Sequence, residues 1–92
     1  MQDHIRHLVI AGSVQGVGFR QGMMRKAAQL GICGWVRNRV DGTVEAMIRG
    51  APDAVVAMIA WARHGPRSAS VDRVEVDPGE GEFASFDMRP TE

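Results

Sequence analysis

The apolar positions of this chain follow two rhythms that alternate along it. Ile5 to Ala11 is mostly β-branched or aliphatic, which predicts a first strand. From Arg20 to Leu30 the rhythm becomes helical, with Met23, Ala27 and Leu30 at i, i+4 and i+7 and Met24 and Ala28 beside them. Gly31 stands where a helix-terminating glycine belongs. Gly22, in the first turn, is unusual: glycine costs roughly 1 kcal/mol against alanine inside a helix, less near an end. Cys33 to Asn38 predicts a second strand, Asp41-Gly42 a hairpin turn, and Thr43 to Arg49 a third strand. On that third strand Val44, Ala46 and Ile48 share one face, with Thr43 and Glu45 on the other. Pro52 and Asp53 suit the start of a second helix and Gly65-Pro66 stops it; Val55, Val56, Met58, Ile59 and Ala62 form its apolar side. Val71 to Val76 is a fourth strand, Asp77 to Glu82 an acidic turn, and Phe83 to Met88 a short last strand at a sheet edge.

The order is β-α-β-β-α-β with one strand added. Two right-handed βαβ halves give an α+β, ferredoxin-like sandwich: an antiparallel sheet, both helices on one face, and a short C-terminal edge strand. Residues 1–92 suffice for a single domain. In this topology the first and second strands are parallel with the third between them, so their carboxyl ends share one edge. Arg20, just past the first strand, and Asn38, at the end of the second, are therefore expected to be neighbours. Asn38 shares a face with Gly34 and Val36, while Trp35 and Arg37 point the other way.

The stretch between the first strand and the first helix, Val14-Gln15-Gly16-Val17-Gly18-Phe19-Arg20, carries the candidate chemistry. Glycine takes positive φ and lets a ligand approach the backbone, so successive N–H groups can form a concave nest. The free N–H groups and dipole of the following helix point the same way. Arg20 adds a planar fork of donors that matches a phosphate or carboxylate. Nucleotide loops fit less well. Gly12 is followed neither by glycine at 17 nor by a Lys-Ser/Thr pair, and Gly16 and Gly18 lack the third glycine of a dinucleotide fingerprint, Gln21 standing there. The plain alternatives are a glycine turn with a solvated arginine, and an asparagine that merely tolerates a turn. An amide at Asn38 beside an anion loop can also donate to and accept from a water molecule.

V-Q-G-V-G-F-R after a strand, then G-W-V-R-N (Gly34 to Asn38) and D-G-T-V-E (Asp41 to Glu45), resemble the acylphosphatase signatures in their expected order. The similarity continues through Trp61, Gly65-Pro66 and Val71 to Val74. Ser13 stands where many relatives carry a basic residue, and Gln21-Gly22-Met23 lacks the aromatic often found after the arginine. The resemblance implies hydrolysis of small acyl phosphates to a carboxylate and inorganic phosphate. It implies that Arg20 binds the phosphoryl group together with the backbone of Gln15, Gly16, Val17, Gly18 and Phe19, and that Asn38 positions the attacking water. It implies no metal and no cofactor.

Composition narrows the rest. Eleven basic and 11 acidic residues cancel, and the arginines look scattered, which argues against a nucleic-acid partner or a membrane surface. RNA-recognition motifs share the topology, but neither Ile5 to Ala11 nor Thr43 to Arg49 offers a stacking aromatic. His4 and His7 would face opposite sides of a strand, and Cys33 and His64 add no metal-ligand spacing. Cys33 reads as a small hydrophobe, Trp35 and Trp61 as packing residues, and the spaced methionines as core. One cysteine excludes an internal disulfide, and the start Met1-Gln2-Asp3-His4 lacks a signal peptide's features, so the cytoplasm is the expected location; a monomer is the expected state. The competing expectation is a non-catalytic or delivery module, such as the acylphosphatase-like domains that open larger hydrogenase-maturation proteins. The absence of an extension after Glu92 favours the free-standing enzyme.

Overall fold

The computed structural model of the chain describes residues 2–92. Its elements are β1 (His4–Ser13), α1 (Phe19–Leu30), β2 (Cys33–Asn38), β3 (Val44–Gly50), α2 (Pro52–Ala62), β4 (Ser70–Pro78) and β5 (Phe86–Met88). The sheet order is β4-β1-β3-β2-β5. β3 lies antiparallel between β1 and β2, with Ile10 opposite Val44 and Asn38 opposite Val44 across the other edge of that strand. The carboxyl ends of β1 and β2 therefore flank the same end of β3, as the topology requires.

The core forms between the sheet and the helices. Leu8 and Ile10 from β1, Val36 from β2, and Val44, Ala46 and Ile48 from β3 are fully buried. Met23 and Ala27 of α1 and Val55, Met58 and Ala62 of α2 pack onto them. Val56, one residue and about 100° from Val55 on the helix, falls outside this stripe and is 66% exposed. The expected apolar side of α2 is therefore narrower than its composition suggests. Gly22 has a packing reason: a Cβ there would come within 2.9 Å of Trp61 Cζ2. α1 thus lies close against the Trp61 indole, which itself stacks at a tilt on Phe19 with ring centres 5.2 Å apart.

The sheet is mixed, not antiparallel throughout. β5 pairs parallel with β2, Gly34 opposite Phe86 and Val36 opposite Met88. β4 and β5 occupy opposite edges, so the chain between them must cross the sheet. It does so along the open face: Gly79 N–H donates to Ile5 O, and Arg49 donates to Gly81 O at 2.9 Å. Phe83 to Ser85 belong to this crossing, so the last strand begins only at Phe86. The chain then continues beside β2, where Arg89 N–H donates to Val36 O and Glu92 N–H to Asn38 O.

The β2–β3 connection is a five-residue hairpin loop. Gly42 N–H donates to Arg39 O and Arg39 N–H to Thr43 O. Gly42 alone takes positive φ, at 93°, so Asp41-Gly42 does not form the centre of a two-residue turn. Asp41 Oδ1 instead accepts from the Thr43 hydroxyl and N–H, and these bonds hold its carboxyl below the usual range.

Candidate functional site

α1 and α2 begin differently, and the difference defines the site. α2 opens with Pro52 and carries Asp53 in its first turn. α1 opens on Gly18, at φ 80° and ψ 20°, with no capping side chain and no acidic residue in its first turn. Gly16 is also left-handed, at φ 75°, and a Cβ on either glycine would meet nothing within 4 Å. Conformation, not crowding, calls for glycine at both positions. Among the described residues, no N–H from Gln15 to Gln21 donates to a protein acceptor; the first that does is that of Gly22, to Gly18 O. A loop and a helix end together leave a run of unpaired donors.

These donors open onto a cleft of about 430 Å³ lined by Gly16, Val17, Gly18, Arg20, Arg25 and Asn38, with Val14, Phe19, Gln21 and Pro66 completing its walls. The expected meeting of Arg20 and Asn38 is present: both line this one cleft. No carboxylate and no imidazole lines it. Arg20 and Arg25 enter no ion pair among the described residues. Asn38 ends β2 on the helix-facing side, two residues beyond the fully buried Val36, and its Oδ1 is buried with no hydrogen-bond partner. A buried acceptor left unpaired costs about 1–3 kcal/mol, so this oxygen calls for a donor.

Gln15 sits differently from the rest of the predicted loop. It does not line the cleft. Its side-chain amide donates to Arg39 O at 2.8 Å and to Thr43 O at 2.9 Å, tying the loop to the hairpin that follows Asn38. Sequence reasoning also missed Arg25 and Pro66. Arg25 lies one helical turn beyond Gln21, which would have placed it on the face that α1 presents to its own N-terminal loop.

The opposite face of the sheet carries a separate polar network. Glu45 accepts from His7 Nε2 at 2.7 Å and from Arg37 Nε at 2.8 Å, and Arg37 also pairs with Glu92. Burial acts to raise the Glu45 pKa, but the His7 and Arg37 hydrogen bonds outweigh it and hold the carboxyl below its usual value. The Arg37 and Arg89 guanidinium groups lie 4.8 and 4.7 Å from the centre of the Trp35 ring. Trp35 is thus a packing residue of the open face, covered by charge rather than by core.

The amino-acid sequence matches the family profile described as Acylphosphatase over residues 6–88. The chain belongs to the acylphosphatase family. An acylphosphatase from Thiobacillus denitrificans is 53% identical over 83 residues, which span 90% of this chain and 93% of that protein. Among solved structures, an acylphosphatase from Coxiella burnetii superposes with a TM-score of 0.92 at 31% identity, over 96% of this chain and 94% of the other. A full-length HypF structure described as phosphate- and nucleotide-bound matches with a TM-score of 0.89 at 26% identity; it covers 98% of this chain but only 12% of the HypF chain. This acylphosphatase-family chain contains no helix, among its described residues, long and apolar enough to cross a membrane.

Proposed function

We propose that the chain hydrolyses the carboxyl–phosphate bond of small acyl phosphates, with Arg20 and the loop N–H groups holding the phosphoryl oxygens and Asn38 placing the attacking water. The observation that carries this reading is one cleft that joins unpaired backbone donors and Arg20 to the unpartnered Asn38 Oδ1. The cradle supplies fixed donors where negative charge builds on the equatorial oxygens, and none of them must reorganise during the reaction. A water donating to Asn38 Oδ1 satisfies the orphaned acceptor and lies opposite the leaving carboxylate. Its oxygen bonds to phosphorus as the bond from phosphorus to the acyl oxygen breaks, and the electron pair leaves on the carboxylate.

The leaving group is a weak base, so the reaction requires no metal or protein acid to expel it. An amide is a poor base, and the cleft lining offers no better one. The water's proton therefore passes to a phosphoryl oxygen of the substrate. Gln15 braces the cradle from behind through the hairpin rather than touching the phosphate with its side chain. The enzyme acts in the cytoplasm, a reading supported by its single cysteine, which suits a reducing compartment.

The test is benzoyl phosphate hydrolysis by the wild type, Arg20→Ala and Asn38→Ala, each with its thermal transition measured. Loss of turnover in both folded variants is expected, with phosphate affinity lost mainly in Arg20→Ala. Replacing His4, His7 and His64 together should leave turnover in a folded protein; its loss would overturn the proton route. The HypF match supports a second reading, a phosphate-handling module without turnover of its own. A folded wild type inactive on benzoyl and carbamoyl phosphate would favour that module.

A further inference from the structure

A second depression, of about 380 Å³, adjoins the phosphate cleft and shares Arg25 and Pro66 with it. Its remaining walls are Lys26, Gln29, Trp61 and Arg67, with Gly22 at its base. Gly22, Arg25, Lys26 and Gln29 are spaced i, i+3, i+4 and i+7, so the groove runs along one face of α1, away from the anion loop. The missing Cβ of Gly22 brings the Trp61 indole against this helix, giving the groove an apolar floor beside Pro66. Its rim is cationic. Arg25, Lys26 and Arg67 form no ion pair among the described residues, and no acidic residue lines either depression.

The primary structure carries the same asymmetry. Residues 4–40 hold six Arg and Lys residues and no Asp or Glu, although the whole chain is neutral. An apolar floor with a positive far rim, opening from a phosphate cradle, matches a hydrocarbon chain that carries an anion at each end. Arg25 and Lys26 lie six and seven residues beyond the helix start at Phe19, about 9–10 Å along its axis. That separation suits a phosphate and a second anionic group at the two ends of a short acyl chain or a single aromatic ring. A nucleic acid suits the groove less well, because Trp61 is the single aromatic among its lining residues and provides no run of stacking platforms.

We propose that this groove is the acyl-group subsite, and that Lys26 and Arg67 give the enzyme a preference for acyl phosphates bearing a second anionic group on the acyl portion. The proposal rests on the acyl phosphate reading of the main cleft. It is tested by comparing 4-carboxybenzoyl phosphate with benzoyl phosphate, two substrates that share a ring and differ in the distal charge. The 4-phosphonobenzoyl analogue separates a carboxylate site from a phosphate site. The wild type is expected to favour the charged substrates about fivefold in kcat/KM through KM, the scale of two exposed charge contacts. The preference should fade at high salt. In Lys26→Gln/Arg67→Gln, with an unchanged thermal transition, it should vanish while benzoyl phosphate turnover stays within twofold.

Equal kcat/KM for charged and neutral substrates, or a preference that survives the double variant, overturns the subsite while leaving the hydrolytic reading intact. Turnover of neither substrate by the folded wild type defeats the hydrolytic reading instead. The groove is then decided by calorimetric titration with the corresponding non-hydrolysable acyl phosphonates: tighter binding of the carboxylated one supports it and equal affinity overturns it. Lys26- and Arg67-dependent binding of a single-stranded oligonucleotide, without any substrate preference, would also overturn it in favour of a polyanion surface.

Discussion

Gln15→Met separates the brace from the cradle, because it keeps the loop N–H groups and the side chain's length but removes both amide donors. The two acceptors it abandons are Arg39 O and Thr43 O. Each already accepts a backbone bond within the hairpin, from Gly42 and Arg39 respectively. Neither carbonyl is left wholly unpaired, so the loss is that of two ordinary hydrogen bonds, about 2 kcal/mol together, and not the larger penalty of orphaned groups. In a domain of this size that corresponds to a fall in Tm of roughly 10 °C. The expected functional effect follows from what the amide connects: the proposed phosphate cradle on one side and the hairpin after Asn38 on the other. Loosening that link lets the water and the phosphorus drift relative to each other, and misplacement on the order of 1 Å costs up to about 100-fold. We expect kcat on benzoyl phosphate to fall about 10-fold, with inorganic phosphate binding nearly unchanged. Gln15→Glu should be worse than Gln15→Met, because it turns carboxylate oxygens toward two carbonyls. Thermal unfolding with steady-state kinetics decides the matter. A lowered Tm with unchanged kcat would reduce Gln15 to a structural pin, and no change in either would refute the brace.

Three further outcomes follow from particular contacts. Gly22→Ala gains helix propensity but drives its Cβ into the Trp61 ring at 2.9 Å, so we expect a net loss of about 1 kcal/mol in chemical denaturation; a stabilised variant would show that the indole yields freely. Gly18→Ala meets no neighbouring atom, so its cost is the left-handed conformation alone, about 1–2 kcal/mol; phosphate affinity measured by calorimetry should fall as the loop relaxes, and unchanged affinity would count against the cradle. For Glu45 the lowered folded pKa means that its contribution is present above the unfolded carboxyl pKa and is lost as pH falls through the folded value. Glu45→Gln should cost about 1–2 kcal/mol at neutral pH and progressively less on acidification below the usual glutamate range, read from denaturant midpoints at several pH values; a pH-independent difference would refute the ion-pair account.

Local rules made most of the fold legible. Period-two alternation marks β3 because its Val44, Ala46 and Ile48 all meet the helices. Gly31 ends α1 as expected, left-handed at φ 71° with Ile32 N–H reaching back to Ala27 O. What escaped depends on distant partners. The parallel pairing of β5 is set by where residues 79–85 cross the sheet, and a three-residue strand carries no signal of direction. The width of the buried stripe on α2 depends on how the helix rolls against the sheet, which hydrophobicity at Val56 cannot report. The candidate cleft was legible as a loop, an arginine and an asparagine, because the ends of two parallel strands, β1 and β2, carry them. The Gln15 brace was not, since a glutamine in a loop has many possible acceptors and only the folded hairpin brings two carbonyls to it.

Net charge says little about the cleft, for a physical reason. The sum of zero hides an arrangement in which β1, α1 and β2 lie within an acid-free segment, residues 4–40, while residues 70–92 hold seven acidic residues and two arginines. Fields act over about a Debye length, near 10 Å, so a cleft responds to its own walls and not to the molecule's total. The acids of β4 lie beyond β1 on the far edge of the sheet, the crossing that carries Glu80 and Glu82 runs over the open face, and Glu45 and Glu92 are occupied on that face by Arg37. Arg20, Arg25, Lys26 and Arg67 are left without acidic neighbours in either depression. The β-α-β half that builds the anion loop is thus also the half that keeps its surroundings positive, and the carboxylates that balance it are held elsewhere in the fold.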